Sequence, residues 1–181
     1  MVSGIEFKDI SINNLSHKKA LECAELYCQI WKEPPWLEDF WKSSEVLADM
    51  KKQLNKDESI CVFAEEANSH VVGFTWGYVV SQEDIRDICG NNSLDFIFNG
   101  GRVFYVDELG VSASYRNCGI GKSLTKKLIS LAKEKLIKTA ILRTNVLAES
   151  ARIVYKEMGF VDLKIFDKKY SDRTYWLAEL K

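Results

Sequence analysis

The stretch from residue 103 to residue 123, VFYVDELGVSASYRNCGIGKS, decides the fold class that this sequence predicts. Val103 to Val111 is rich in β-branched and aromatic side chains, which is typical of a central strand. A short polar turn follows, and apolar spacing then predicts a helix from about Ile120 to Lys135. A strand, a glycine-containing turn and a helix in this order indicate an α/β domain around one mixed sheet.

The glycines of the turn favour an anion site at the start of the helix. Gly119 and Gly121 let a ligand approach the backbone closely, and the first-turn amides of a helix have no partner within it. With the positive end of the helix dipole and the charges of Arg116 and Lys122, these amides suit a pyrophosphate. A tight turn without a ligand is the alternative. The glycine spacing matches neither a dinucleotide fingerprint nor a Walker motif.

Two motifs in this part of the chain resemble those of the GNAT N-acetyltransferase superfamily. Arg116-x-x-Gly119-x-Gly121 is similar to the family's R/Q-x-x-G-x-G/A phosphate loop, and residues 151–160 are similar to its later helix, which ends in a Tyr-x-x-x-Gly-Phe signature. The close resemblance covers residues 103–160, and a looser one covers nearly the whole chain. It implies an acetyl-coenzyme A-dependent N-acetyltransferase that moves an acetyl group to a primary amine by direct attack in a ternary complex.

The resemblance also implies roles for individual residues. Backbone groups of Leu109, Gly110 and Val111 would bind the pantetheine arm like an added strand. Tyr155 would be the general acid that protonates the departing thiolate, with simple helix packing as the alternative. The backbone amides that would hold the pyrophosphate belong to Arg116, Asn117, Cys118, Gly119, Ile120, Gly121, Lys122 and Ser123.

One position departs from the family pattern. The family often has a pantetheine-binding asparagine three residues before the alanine of its second motif, and this sequence has Ala148 there. An alanine side chain cannot hydrogen-bond. Asn145, at the end of its predicted strand, or Ser150 would have to replace the asparagine, and the sequence leaves both open.

The reaction needs a base, because a substrate ammonium with a pKa near ~10 must lose its proton before the nitrogen can attack. Asp107 and Glu108 lie near the end of the central strand, where alternation puts them on opposite faces. In polyamine-type members of the family an acid lies nine residues before the loop arginine, which here is Asp107. Glu108 is the alternative, because a β-bulge would swap the faces. A structural carboxylate, with water alone as the base, is also open.

The substrate side is predicted less specifically. The segment WKEPPWLEDFW, residues 31–41, combines aromatic and acidic residues between the first two predicted helices, and Trp31 and Trp36 could face a cationic amine. A proline-stiffened corner that buries its tryptophans is the alternative. We expect the acceptor to be a small-molecule amine or a peptide N-terminus, and a homodimer is compatible with the sequence.

Composition and cysteine usage set the cellular setting. The 181 residues include 25 basic and 26 acidic ones, so bulk charge favours neither nucleic acid nor an anionic membrane as a partner. The N-terminal residues lack a signal segment, and no apolar run reaches the ~20 residues of a membrane span. The five cysteines, Cys118 among them, are scattered without C-x-x-C spacing and predict free thiols rather than disulfides or a metal site. We therefore expect a cytoplasmic protein without a metal.

The predicted order of elements over residues 1–181 is β-α-α-β-β-β-α-β-α-β-β, which fits one GNAT-like domain. Two other functions remain open. A catalytically silent GNAT-fold module would bind coenzyme A as a sensor or assembly partner and would need neither Tyr155 nor the acid pair. A nucleotide-binding α/β domain would be protected from thermal unfolding by ATP or NAD instead.

Overall fold

A seven-stranded mixed sheet lies at the centre of the computed structural model, which describes residues 4–180. The strands are β1 (Ile5–Asp9), β2 (Ile60–Glu66), β3 (Val71–Val80), β4 (Val103–Val111), β5 (Thr139–Asn145), β6 (Val161–Phe166) and β7 (Arg173–Glu179). The helices are α1 (His17–Trp31), α2 (Ser43–Leu54), α3 (Gln82–Cys89), α4 (Ile120–Glu134) and α5 (Glu149–Glu157). The predicted class, an α/β domain with a mixed sheet flanked by helices, is confirmed.

The strands follow the order β1-β2-β3-β4-β5-β7-β6 across the sheet. Neighbouring strands are antiparallel except β4 and β5, which run parallel. The β4–β5 ladder is short, since it pairs Val103–Val106 with Thr139–Leu142, while both strands continue beyond it. A gap therefore opens between the carboxyl ends of two parallel strands, which is where α/β sheets commonly bind ligands.

Helices cover both faces of the sheet and fix the position of this gap. On one face, α4 and α5 pack through buried residues such as Leu124 and Tyr155. On the other face, α1 and α2 cover β2 and β3 around Phe74 and Trp76, and α3 extends the same layer towards Tyr105. No helix among residues 4–180 is long and apolar enough to cross a membrane.

One helix was not part of the predicted order. The predicted order has no helix between the third and fourth strands, whereas α3 occupies Gln82–Cys89. A capping box between Ser81 and Asp84 starts this helix, and Gly90 ends it in the left-handed conformation with φ 72°. Because the helix has eight residues and buries only Ile85 and Cys89, its apolar periodicity is too short to recognise.

A β-bulge in β4 changes the direction of the acidic side chains. In the pairing of β3 with β4, Gly77 lies opposite Val106 and Trp76 lies opposite Glu108, so Asp107 is the extra residue. A Cβ atom on Gly77 would meet the Tyr105 carbonyl oxygen and lie 2.6 Å from the Phe104 ring. Glycine at this position therefore lets the two strands approach closely beside the bulge.

Candidate active site

A cavity of about 740 Å³ fills the gap between β4 and β5. It extends from the start of α4, along the end of β4 and past α5, to the layer formed by α1 and the α1–α2 segment. Most of the sequence-predicted site residues line it. The lining residues among them are Trp31, Trp36, Asp107, Glu108, Leu109, Gly110, Val111, Arg116, Asn117, Gly119, Ile120, Gly121, Lys122, Ser150 and Tyr155. Cys118, Ser123 and Asn145 do not line it.

The backbone at the end of β4 offers hydrogen-bonding groups to this cavity. The Glu108 carbonyl accepts from the Thr75 hydroxyl at 2.7 Å, and the Ser112 amide donates to Val72, so these residues bond towards β3. By alternation Gly110 also bonds towards β3, whereas Leu109 and Val111 direct their backbone groups into the gap. Of the three residues predicted to bind pantetheine, Gly110 is therefore engaged within the sheet.

Six consecutive amides before and within the first turn of α4 have no acceptor in the described chain. They belong to residues 117–122, and the next amide, that of Ser123, donates to the Gly119 carbonyl at 3.0 Å. Asn117 and Gly119 have φ values of 59° and 80°, and nothing lies within 4 Å of a Cβ built on Gly119. Left-handed residues of this kind form concave groups of amides that bind anions.

The outer members of this loop are already engaged within the protein. The amides of Arg116 and Ser123 both donate to backbone carbonyls, so neither is free for a phosphate. The Arg116 guanidinium donates to the Val111 carbonyl at 3.0 Å and pairs with Glu33, while Lys122 pairs with Glu157 at 2.9 Å. Positive charge near the amides is therefore already partly neutralised by protein carboxylates.

The structure separates the two candidates for the missing asparagine. Asn145 is buried; its side chain donates to Asp172 at 2.6 Å and accepts from the Leu147 amide at 2.8 Å. It shapes the β5–α5 turn and does not reach the cavity. Ser150 is exposed in the first turn of α5 and lines the cavity beside Ala148.

Tyr155 lies on the buried side of α5, in edge contact with Phe160, and borders the cavity. Its hydroxyl makes no hydrogen bond to any described residue. Burial, and then the charge of Glu108, raises the pKa of Tyr155. The hydroxyl therefore stays protonated at neutral pH and remains available as a donor.

Asp107 and Glu108 both reach the cavity, because the bulge places them on the same face of the sheet. The prediction of opposite faces was wrong for this reason. The Tyr78 hydroxyl donates to Asp107 at 3.0 Å, and the Tyr27 hydroxyl donates to Glu108 at 3.3 Å. Burial raises the pKa of Asp107, and burial together with the charge of Asp107 raises the pKa of Glu108. The two carboxyls titrate as a pair that holds a proton more tightly than free carboxyls do.

Trp31 and Trp36 build the far wall of the cavity rather than a free cation site. The Trp31 ring stacks on Tyr27 with centroids 3.9 Å apart and on Trp36 at 5.8 Å. The Arg173 guanidinium in turn lies over the Trp36 ring at 5.2 Å. Because protein groups already stack on these rings, the packing does not support direct contact of their faces with an amine.

Two arginines complete this end of the cavity and were not predicted. Arg143 and Arg173 lie near the ends of β5 and β7 and line the cavity, and each guanidinium packs over the ring of Tyr170. Arg143 belongs to a segment whose strand character was predicted, whereas Arg173 is the first residue of β7 and precedes the predicted strand, which began at Thr174. The position of Arg143 was the signal that could have identified it as a site residue, because it is a charged residue near the carboxyl end of β5, the strand parallel to β4. Among residues 4–180, no three His, Cys, Asp or Glu side chains form a metal-binding group.

One cavity between the splayed ends of β4 and β5 thus joins the unpaired amides at the start of α4 to a pair of carboxyls. The acetyltransferase (GNAT) family model matches residues 22–160. The chain belongs to this family.

Individual relatives are distant. Mouse N-acetyltransferase 8B is 25% identical over 137 residues, which cover 75% of this chain and 53% of that protein. The chain thus spans about half the length of this relative. A GNAT-family acetyltransferase from Staphylococcus aureus has a TM-score of 0.71 at 18% identity, covering 98% of this chain and 99% of its own. A chain of the NatC complex bound to Gag peptide and CoA has a TM-score of 0.70 at 17% identity, and the match covers 98% of this chain and 99% of that chain. These structural similarities concern the fold.

Proposed function

We propose that this protein is an acetyl-coenzyme A-dependent N-acetyltransferase that acetylates a primary amine by direct transfer. The observation that carries the proposal is the continuity of one cavity. It joins the unpaired amides at the start of α4 to the carboxyl pair of β4, and Tyr155 borders the path between them.

The residues at the α4 end fit the diphosphate and pantetheine of coenzyme A. Unpaired amides at residues 117–122 suit a diphosphate, and the open space in front of Gly119 admits it. Leu109 and the Val111 amide face the gap, where an amide-bearing arm can pair with them as a strand would, while the Val111 carbonyl accepts from Arg116. Ser150 adds a hydroxyl on the opposite side. Acetyl-coenzyme A, when bound, supplies an acetyl group activated as a thioester.

The residues at the other end fit the proton transfers that the reaction requires. Asp107 or Glu108 accepts a proton from the substrate ammonium at a carboxylate oxygen, directly or through water, which leaves the amine nitrogen nucleophilic. Burial raises the pKa of Asp107 to about 6, which brings this carboxyl closer to neutral pH, where a base works best. Tyr155 donates its hydroxyl proton to the departing sulfur. Transfer is direct, because Cys118, the exposed thiol of the phosphate loop, does not line the cavity.

The test combines calorimetry with coenzyme A and a thiol-release assay with acetyl-coenzyme A and a panel of amines. Tyr155→Phe should lower kcat by about 10–10³-fold while coenzyme A affinity stays unchanged, as expected for a general acid. Tyr115→Phe is the matched control, because Tyr115 also lines the cavity but its hydroxyl already donates to Glu66.

Three results would count against the proposal. Tight coenzyme A binding without turnover of any amine would favour the sensor module. Thermal protection by ATP or NAD and not by coenzyme A would favour a nucleotide-binding domain. An unchanged kcat in Tyr155→Phe would remove this tyrosine from the mechanism. A cytoplasmic location and a homodimer stay predictions, which fractionation and light scattering can test.

A further inference from the structure

The geometry points to an acceptor that carries a carboxylate beside its amine, that is, a free amino acid, with Arg143 and Arg173 binding the carboxylate. This inference rests on the proposed function, since it names the substrate class of the same cavity. It starts from the placement of acids and arginines on opposite sides of the gap between β4 and β5.

Arg143 faces the acid pair across this gap. The last residues that pair β4 with β5 are Val106 and Leu142, so Asp107 and Arg143 are the first residues beyond the ladder on each strand. Arg143 shares a face of the sheet with Tyr105 and Tyr175, the face to which Asp107 also turns. Yet the only described carboxylate within 4.0 Å of the Arg143 nitrogens is Asp167. The facing charges are therefore close but separated by open space.

The guanidinium groups retain donors that the protein does not use. Arg143 donates from one terminal nitrogen to Asp167 at 2.7 Å, and no other described group accepts from it, although its side chain is only 19% exposed. Arg173 pairs with Glu38 through one terminal nitrogen, and its Nε is buried without a hydrogen-bond partner. Of these donors only Arg173 Nε is fully buried without an acceptor, a state that one terminal nitrogen of Arg152 shares elsewhere in the described chain. The unused Arg143 donors lie at the cavity, where an acceptor from a ligand can complement them.

The carboxyl groups on the other side of the gap lack hydrogen-bond donors, as the arginines lack acceptors. The carboxyl groups of Asp107 and Glu108 each receive a single hydrogen bond from a described residue, in both cases from a tyrosine hydroxyl. An ammonium group supplies the missing donors to the carboxyl pair, and a carboxylate supplies the missing acceptors to the arginines. A molecule that presents both charges a few bonds apart satisfies the two sides of the gap at once. An amine without a carboxylate satisfies only one.

The arginines are held in place before a substrate arrives. The Arg143 guanidinium lies over the Tyr170 ring at 5.2 Å, and that of Arg173 lies over the same ring at 4.1 Å. Asp167, fully buried in its side chain, anchors Arg143 and also accepts from the amides of Lys169 and Tyr170. Planar guanidinium groups fixed in this way match the two oxygens of a carboxylate.

The competing explanation is that Arg143 only balances the charge of Asp107 and Glu108 through space. The two explanations differ for neutral derivatives. A carboxylate-binding arginine discriminates a free amino acid from its carboxamide, whereas a balancing charge treats both alike.

The experiment measures kcat/KM for amino acids, for their carboxamides and for the corresponding decarboxylated amines. Each free amino acid that is a substrate should exceed its carboxamide by about 10–100-fold, the range of a charge-assisted hydrogen-bond pair. Arg143→Gln should lower this ratio by about tenfold, with Arg173 left to bind the carboxylate, and the ratio is taken within the variant so that any general change in kcat cancels. Arg143→Lys keeps the charge beside Asp167, and it should also lose most of the preference for the free amino acid over its carboxamide. This variant replaces Arg143→Gln in the experiment if the glutamine variant is unstable. Arg152→Gln is the matched control, because Arg152 pairs with Asp162 and packs over Trp176 outside the cavity.

A binding measurement separates this inference from the proposed function. Calorimetry with an N-acetyl amino acid and its N-acetyl amide, each in the presence of coenzyme A, reports carboxylate recognition without turnover. Tighter binding of the acid that is lost in Arg143→Gln would support the inference even if no acetyl transfer were found. Turnover of amines with equal rates for acids and carboxamides would overturn it and leave the proposed function intact. Absence of both turnover and acid-selective binding would overturn both.

Discussion

Gly77→Ala tests whether the bulge in β4 determines the position of the acid pair. Gly77 lies opposite Val106, next to the point where Asp107 is inserted into the strand. A Cβ atom here would meet the backbone carbonyl of Tyr105 and the Phe104 ring, the latter at 2.6 Å. Because a backbone carbonyl in a central strand cannot rotate away, β3 and β4 must move apart beside the bulge.

The size of the effect follows from these contacts. Overpacking by one methyl group against rigid neighbours costs about 1–3 kcal/mol, and a backbone partner places this case near the upper end. For a domain of this size, we expect a melting temperature lower by about 4–10 °C. The acid pair should also shift, so kcat with an amine acceptor should fall by about tenfold or more, as small misplacements of a catalytic group do. Coenzyme A affinity should change little, because the α4 amides lie elsewhere.

Urea and thermal unfolding measure the stability and the melting temperature. Calorimetry measures the coenzyme A affinity, and the thiol-release assay measures kcat. Gly73→Ala is the control for stability, since it lies in the same strand and its closest new contacts are at 3.1 Å. This variant should cost about 1 kcal/mol or less. If Gly77→Ala kept the stability and kcat of the natural protein, the bulge would not position the carboxyls and the reasoning would fail.

Three further predictions follow from the site. Asp107→Asn combined with Glu108→Gln should abolish most activity and stabilise the protein at pH 8 but not at pH 4. Both carboxyls have a raised pKa in the native state, so the free energy of unfolding falls as the pH rises from the unfolded carboxyl pKa of about 4 through the native values. The double variant lacks this pH dependence. Urea midpoints that differ from wild type equally at both pH values would contradict the prediction. Gly119→Asp should weaken coenzyme A binding in calorimetry by about tenfold or more, because it sets a carboxylate before the unpaired amides, and unaltered binding would count against the loop. Ser150→Ala should lower coenzyme A affinity by about 2–10-fold. Asn145→Ala should lower the free energy of unfolding by about 1–3 kcal/mol and leave the affinity unchanged, since it leaves buried partners unpaired. A loss of affinity in Asn145→Ala, and of stability alone in Ser150→Ala, would exchange the roles of the two residues.

The donor end of the cavity was predictable because it is local in sequence. A strand, a turn with Gly119 and Gly121, and a helix follow one another within twenty or so residues, and their backbone geometry is set by residue types that favour it. The engagement of the outer amides was not predicted, because the bonds of Arg116 and Ser123 depend on how the turn closes. That closure involves Ala113 and Gly119 and is not visible in a motif.

The acceptor end was only partly predictable because its residues come together from distant segments. Arg173 pairs with Glu38, 135 positions earlier, and Tyr27 reaches Glu108, 81 positions later. Contacts between residues so far apart in the chain leave no periodic pattern in the sequence. The faces of Asp107 and Glu108 were misassigned for a different reason, since strict alternation fails wherever a strand contains an inserted residue.

The main-chain amides at the start of α4 have a consequence for how this protein can change over generations. Every amino acid except proline supplies the same N–H group, so an exposed position such as Cys118 can change in identity without loss of an unpaired amide, whereas the φ of 59° at Asn117 restricts the residues that suit that position. In the proposed function, the acceptor contacts side chains from the α1–α2 segment, β5 and β7 instead. Exchange of those side chains alone would then change the accepted substrate, while the thioester carrier would bind as before.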